Sequence, residues 1–64
     1  MGEVKEEAKW IIHDLFGPVN AQKLDIMDDS NPIIFLNQVK DIISGMLGPK
    51  IAEQKMAKLY KKYA

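Results

Sequence analysis

Apolar residues recur three and four positions apart along this chain, in stretches interrupted at three places. Val4, Ala8, Ile11, Ile12, Leu15 and Phe16 form one stripe, which predicts a first helix from about Glu3 to Phe16. Acidic residues crowd its opening turn, where the helix dipole favours them. Gly17-Pro18 ends it, because proline cannot extend the hydrogen-bond ladder and glycine accepts a left-handed turn. Pro18 then opens a short second helix to about Met27, with Ala21, Leu24 and Met27 on one side. Asp28 to Asn31 is a loop of capping residues, and Asn31-Pro32 reads as N-cap followed by first helical residue. The third helix, Pro32 to Leu47, carries Ile33, Phe35, Leu36, Val39, Ile42, Ile43, Met46 and Leu47. At about 100° per residue these cover about half the circumference, an arc wide enough to predict a central position. Gly48-Pro49 breaks the chain again. A fourth helix follows to about Tyr63, with Ala52, Met56, Leu59, Tyr60 and Tyr63 inward and its lysines outward.

The two Gly-Pro breaks align with one another at an offset of 31 residues without a gap. Ile11-Ile12 falls on Ile42-Ile43, Gly17-Pro18 on Gly48-Pro49, and Ala21 on Ala52; Leu15-Phe16 and Met46-Leu47 match in type. Physically this is one helical hairpin written twice. An apolar pair packs the end of the first helix, Gly-Pro makes the corner, and alanine lets the next helix approach closely. One hairpin cannot hide its own apolar stripe, whereas two packed face to face about a pseudo-twofold can. The prediction is therefore an all-α fold, a single small four-helix domain made of two αα-hairpins, with a possible internal repeat.

Size sharpens this picture. A chain of 64 residues buries only about 60% of its unfolded surface on folding. Small domains make up the deficit with disulfides, metals, dense packing or association. Cysteine is absent and there is one histidine, which removes disulfides, thiol chemistry and a Cys-ligated zinc site. Dense helical packing and self-association are left. Of the residues, 47% are hydrophobic and the nine lysines balance nine acids, which argues against disorder. No apolar run approaches the ~20 residues of a membrane span, and the acidic start offers no secretory n-region. A cytoplasmic protein with no membrane contact is the expectation.

Catalytic chemistry finds little to work with. The only histidine is His13, threonine is missing, and neither Ser30 nor Ser44 lies in a Gly-x-Ser-x-Gly elbow. Asp25, Asp28 and Asp29 read as capping residues rather than a divalent-ion site, since no glycine follows the Asp pair to shape a calcium loop. No cofactor, metal or enzymatic role is expected.

Three features remain as contact candidates. Trp10 lies opposite the apolar stripe of the first helix, with Glu6 one turn before it and His13 one turn after. An exposed tryptophan is common in interfaces, and a homodimer is the expected partner arrangement; the alternatives are a sandwiched first helix with Trp10 in the core, or Trp10 folded over the edge of a neighbouring helix. Ile34 falls outside the arc of the third helix. It is expected to pack beneath the Asp28–Asn31 loop with Val19 and Ile26, or else to form with them a second apolar surface for a partner. The last feature is the lysine-rich end, Lys50, Lys55, Lys58, Lys61 and Lys62, interleaved with Tyr60 and Tyr63. Lysines and aromatics together can contact phosphates and bases, although lysines at a helix C-terminus also suit the dipole. The chain has no arginine, which removes bidentate phosphate and guanine contacts.

One resemblance bears on that last feature. Leu47-Gly48-Pro49-Lys50-Ile51-Ala52, continuing to Met56, resembles the second half of a helix-hairpin-helix DNA-binding motif, and Phe16-Gly17-Pro18-Val19-Asn20-Ala21, continuing to Leu24, resembles it too. The motif's first glycine, two positions before the second, is replaced by Leu15 in one copy and Met46 in the other. The resemblance implies sequence-nonspecific nucleic-acid binding at the corners, with the lysines of the fourth helix nearby. The first expectation for function is a non-enzymatic protein–protein interaction module that self-associates; nucleic-acid binding is the alternative.

Overall fold

The computed structural model describes residues 3–63. It consists of α1 (Glu3–Phe16), α2 (Pro18–Gln22) continuing into a 3₁₀ turn (Lys23–Ile26), α3 (Pro32–Leu47) and α4 (Pro49–Tyr63). The first, third and fourth helices stand where the apolar spacing and the breaks predict them, whereas the second, expected to reach about Met27, is α-helical only to Gln22 and tightens into the 3₁₀ turn.

The two corners are built alike. Gly17 has φ +92° and Gly48 φ +94°, both extended in ψ, a region that side chains exclude and glycine tolerates. Each glycine N–H donates to the carbonyl four residues back, Gly17 to His13 and Gly48 to Ser44, both at 2.9 Å. Each glycine carbonyl then accepts from the alanine four residues on, Ala21 at 3.3 Å and Ala52 at 3.2 Å. A single residue thus closes one helix and opens the next, and proline fills the first helical position, where no N–H is needed. Ala21 and Ala52 are both buried. At Asn31 the start of α3 is capped differently: its side-chain oxygen accepts from the Ile33 and Ile34 N–H groups at 3.1 and 3.3 Å.

One core unites the elements. Val4, Ala8 and Ile12 of α1 meet Leu24, then Phe35, Leu36, Val39 and Ile43 of α3, and Ala52, Met56 and Leu59 of α4. Ile11, Leu15, Phe16, Met27, Ile42, Tyr60 and Tyr63 pack around its edge. Among the described residues the core contains no buried polar or charged side chain. The 3₁₀ turn supplies Leu24 as its one wholly buried residue.

Three expectations are corrected by the packing. The most buried side chains do lie on α3, but α1 is the helix that touches every other element, the 3₁₀ turn included. Moreover, α1 rests on α4 while α2 and α3 do not approach one another, so the hairpins do not pack about a pseudo-twofold. The corners recur at the offset of 31, but their second arms differ, five α-helical residues and a 3₁₀ turn in one and fifteen in the other. Finally, Ile34, Val19 and Ile26 do not form a core beneath the loop. They are 55%, 68% and 90% exposed, Ile34 on the first turn of α3 and Val19 and Ile26 on the short arm.

The Asp28–Asn31 loop is ordered by local bonds. Asp28 accepts from the Ser30 backbone N–H at 2.9 Å, a turn that together with the Ser30 hydroxyl holds the carboxyl below its ordinary pKa. Lys9 reaches Asp25 at 2.7 Å and Lys5 lies 4.0 Å from Asp29, tying the short arm and the loop after it to α1. The acids that might have formed an ion site are therefore taken up by turns and lysines. Among the described residues no group of three or more His, Asp or Glu converges for a metal ion.

Candidate interaction surface

The buried stripe of α1 dictates what its far side presents. With Val4, Ala8 and Ile12 inward, Glu3, Glu6, Trp10, His13 and Asp14 all face solvent. Trp10 is 65% exposed, which settles the sandwich alternative: within one chain the indole is not core. Its ring lies 6.4 Å from that of His13, tilted by 60°. Glu6, Lys9, Trp10, His13 and Ala21 line an open groove of about 230 Å³. Ala21 contributes its wall because the Gly17 corner brings α2 against α1 at a small residue. The structure thus gathers Glu6, Trp10 and His13, as the spacing predicts. Ile34, at the start of α3, does not line this groove.

Sequence reasoning did not anticipate two things here. Lys9 and Ala21 complete the groove, and only the fold of the short arm onto α1 reveals that. Met46 and Leu47, aligned with Leu15 and Phe16, are exposed, whereas Leu15 and Phe16 pack against the core. The apolar match in type gave no sign of this difference.

Lysines of α4 divide into two groups. Lys62 is committed: it lies 3.2 Å from both Glu7 carboxylate oxygens and 5.5 Å from the centre of the Tyr63 ring. Tyr63 donates its hydroxyl to the same carboxylate. The Tyr63 hydrogen bond, and after it Lys62, lower the Glu7 pKa, while Glu7 in turn raises those of Tyr63 and Lys62. Tyr63 therefore faces a lysine and an acid at the edge of the core. Lys50, Lys55, Lys58 and Lys61 are exposed and make no ion pair among the described residues. Tyr60 belongs to a separate depression between α3 and α4, of about 330 Å³, lined by Asn37, Lys40, Glu53, Ala57 and Tyr60. Its hydroxyl donates to Asn37, and burial raises its pKa, with the Asp41 charge adding to the effect. The tyrosines are thus occupied within the fold and do not stand out as a stacking platform beside the free lysines.

His13 and Ser44 occupy equivalent places in the two corners, where their backbone carbonyls receive the glycine N–H groups. No hydrogen bond joins their side chains among the described residues. No protein-family model, curated protein or solved structure matches this chain. No helix among the described residues is long and apolar enough to cross a membrane.

Proposed function

We propose that this protein is a non-enzymatic helical interaction module that pairs with a second copy of itself in the cytoplasm. The observation that carries this reading is the exposure of Trp10 at the rim of an open groove on α1. An indole left in water forfeits the burial of a large apolar side chain, and such residues concentrate energy at interfaces. The total exposed surface is ordinary for a chain of this size. The 4419 Å² exposed is close to the roughly 4,200 Å² that size scaling gives a monomer of this mass. What stands out is the character of that surface, with Trp10, Ile34, Met46 and Leu47 exposed on a chain of 64 residues. A standard interface of about 800 Å² per partner would cover roughly a fifth of it.

Sedimentation at micromolar concentration tests the reading. A species of twice the 7.3 kDa chain mass is expected, with tryptophan emission shifting to the red on dilution as Trp10 enters water. Trp10→Ala should shift the equilibrium to monomer and leave the helical circular dichroism intact. A 7.3 kDa species that persists at hundreds of micromolar rejects the proposal.

A further inference from the structure

The chain is neutral overall, but the charges that α1 and α4 leave without an ion pair among the described residues differ in sign. On α1, Lys5 and Lys9 are taken up by Asp29 and Asp25, and Glu7 by Lys62. Glu3, Glu6 and Asp14 then remain without an ion-pair partner among the described residues, all on the exposed side that carries Trp10. On α4 the corresponding remainder is Lys50, Lys55, Lys58 and Lys61, set against one acid, Glu53. The structure therefore has an acidic helix face centred on an exposed indole and a basic helix face of similar length.

The spacing of these faces matches in opposite directions. Glu3, Glu6, Trp10 and Asp14 follow one another at three, four and four residues; Lys61, Lys58, Gln54 and Lys50, read backwards, do the same. Each row is one face of a helix. We infer that the α1 face of each copy docks antiparallel on the α4 face of the other, so that a twofold pair makes this contact twice. Glu3, Glu6 and Asp14 then stand opposite Lys61, Lys58 and Lys50, and Trp10 stands opposite Gln54. Ile51, one turn before Gln54 and partly exposed, offers the indole an apolar neighbour, and the alkyl stems of Lys50 and Lys58 cover its flanks. Parallel docking pairs fewer of these charges and sets the helix dipoles against each other, so the antiparallel direction is favoured. Opposed charges of this kind fix partner and register more than they add affinity, while burial of Trp10 supplies the apolar part.

This inference rests on the self-association reading, and its test separates the two. Two variants reverse one face each: Glu6→Lys with Asp14→Lys, and Lys50→Glu with Lys58→Glu. A third carries all four substitutions and has the same net charge as the starting protein. All four positions are exposed, and far-UV circular dichroism reports whether each variant keeps its helices. Sedimentation should show each single-face reversal weakening association by at least about 10-fold, with the fourfold variant back within about threefold, since like charges facing each other repel and the double reversal restores opposite ones. A control of equal net charge, Asp41→Lys with Glu53→Lys, puts the same added positive charge on exposed positions outside both rows and should not weaken association; weakening equal to that of Glu6→Lys with Asp14→Lys would assign the effect to net charge and overturn the docking. If the single-face variants associate like the starting protein, or the fourfold variant fails to recover, the α1–α4 docking is wrong while self-association stands. A starting protein that is monomeric throughout removes both.

Discussion

At the scale of single residues, two glycines three positions apart should respond oppositely to alanine. Gly48 holds φ at +94°, where a Cβ is strained whatever space surrounds it. Gly48→Ala should destabilise the domain by about 1–3 kcal/mol, the cost of holding an L-residue at positive φ with extended ψ. Gly45 sits inside α3 with ordinary helical backbone, and an added Cβ would meet nothing within 4 Å. Gly45→Ala should stabilise by about 0.5–1 kcal/mol, because glycine loses more backbone entropy on entering a helix. Urea denaturation of the two variants checks both signs. Both Gly-Pro corners and the Asn31 cap were legible because their chemistry is local: glycine, proline and a short polar side chain act on their own backbone. Ile34 was not legible, since its burial depends on whether another element lies across it, which its own neighbours in sequence do not encode.

Among the elements, the short arm depends on few contacts. The segment from Pro18 to Ile26 buries Ala21 and Leu24; Asn20 donates its side-chain N–H to the Phe16 carbonyl at 3.2 Å, and Lys9 and Lys5 of α1 reach the Asp25 carboxylate and carbonyl. Exposed ion pairs contribute little, so Leu24 carries most of the attachment. Leu24→Ala should cost about 2–5 kcal/mol, as for other wholly buried leucines, and it should lower amide protection in α2 before that in α3. Hydrogen exchange read by NMR would show this order. The union of α1 with α4 through Glu7, Lys62 and Tyr63 adds a pH signature. The Glu7 pKa is depressed below its ordinary value of 4.5, so its contribution is present above that pH and is lost as the pH falls through the folded value. Those of Tyr63 and Lys62 are raised above 10.0 and 10.5, so theirs is present below those values and lost as the pH rises through the folded ones. Thermal midpoints should form a plateau between about pH 5 and 9 and fall on both sides. Glu7→Gln should flatten both limbs, since it removes the proton donor's partner as well as the acid. The sequence located these helices through their apolar period. It did not show that Lys62 and Tyr63 face Glu7 across 55 and 56 residues, because such a contact depends on how α1 crosses the second hairpin.

For the whole molecule, the all-α architecture followed from two properties visible in the chain: apolar stripes of helical period, and breaks strong enough to bound them. The arrangement of the hairpins did not follow. Equivalent sequence at an offset of 31 suggested equivalent packing, but burial is decided by neighbours. Leu15 and Phe16 find the core at their corner, whereas Met46 and Leu47 at theirs do not. The acidic and basic faces were also obscured in the sequence, because lysines and acids alternate along α1. Only when Lys5, Lys9 and Glu7 are seen to be engaged elsewhere does a charge separation emerge from a neutral composition. If α1 and α4 meet between copies, raising salt from 50 to 500 mM should weaken association, since exposed opposite charges are screened. Sedimentation at the two ionic strengths measures that effect.

The clasp of Glu7 on Lys62 and Tyr63 places the first turns of α1 within a side chain's reach of the last turn of α4. The loop from Asp28 to Asn31, by contrast, is the sole covalent bridge between the hairpins and lies at the surface apart from Asp29. The order in which the hairpins are threaded is therefore incidental to the architecture. A circularly permuted polypeptide, with a short glycine–serine tether from α4 into α1 and a new opening at Ser30, should reach the same helical arrangement and keep the same core.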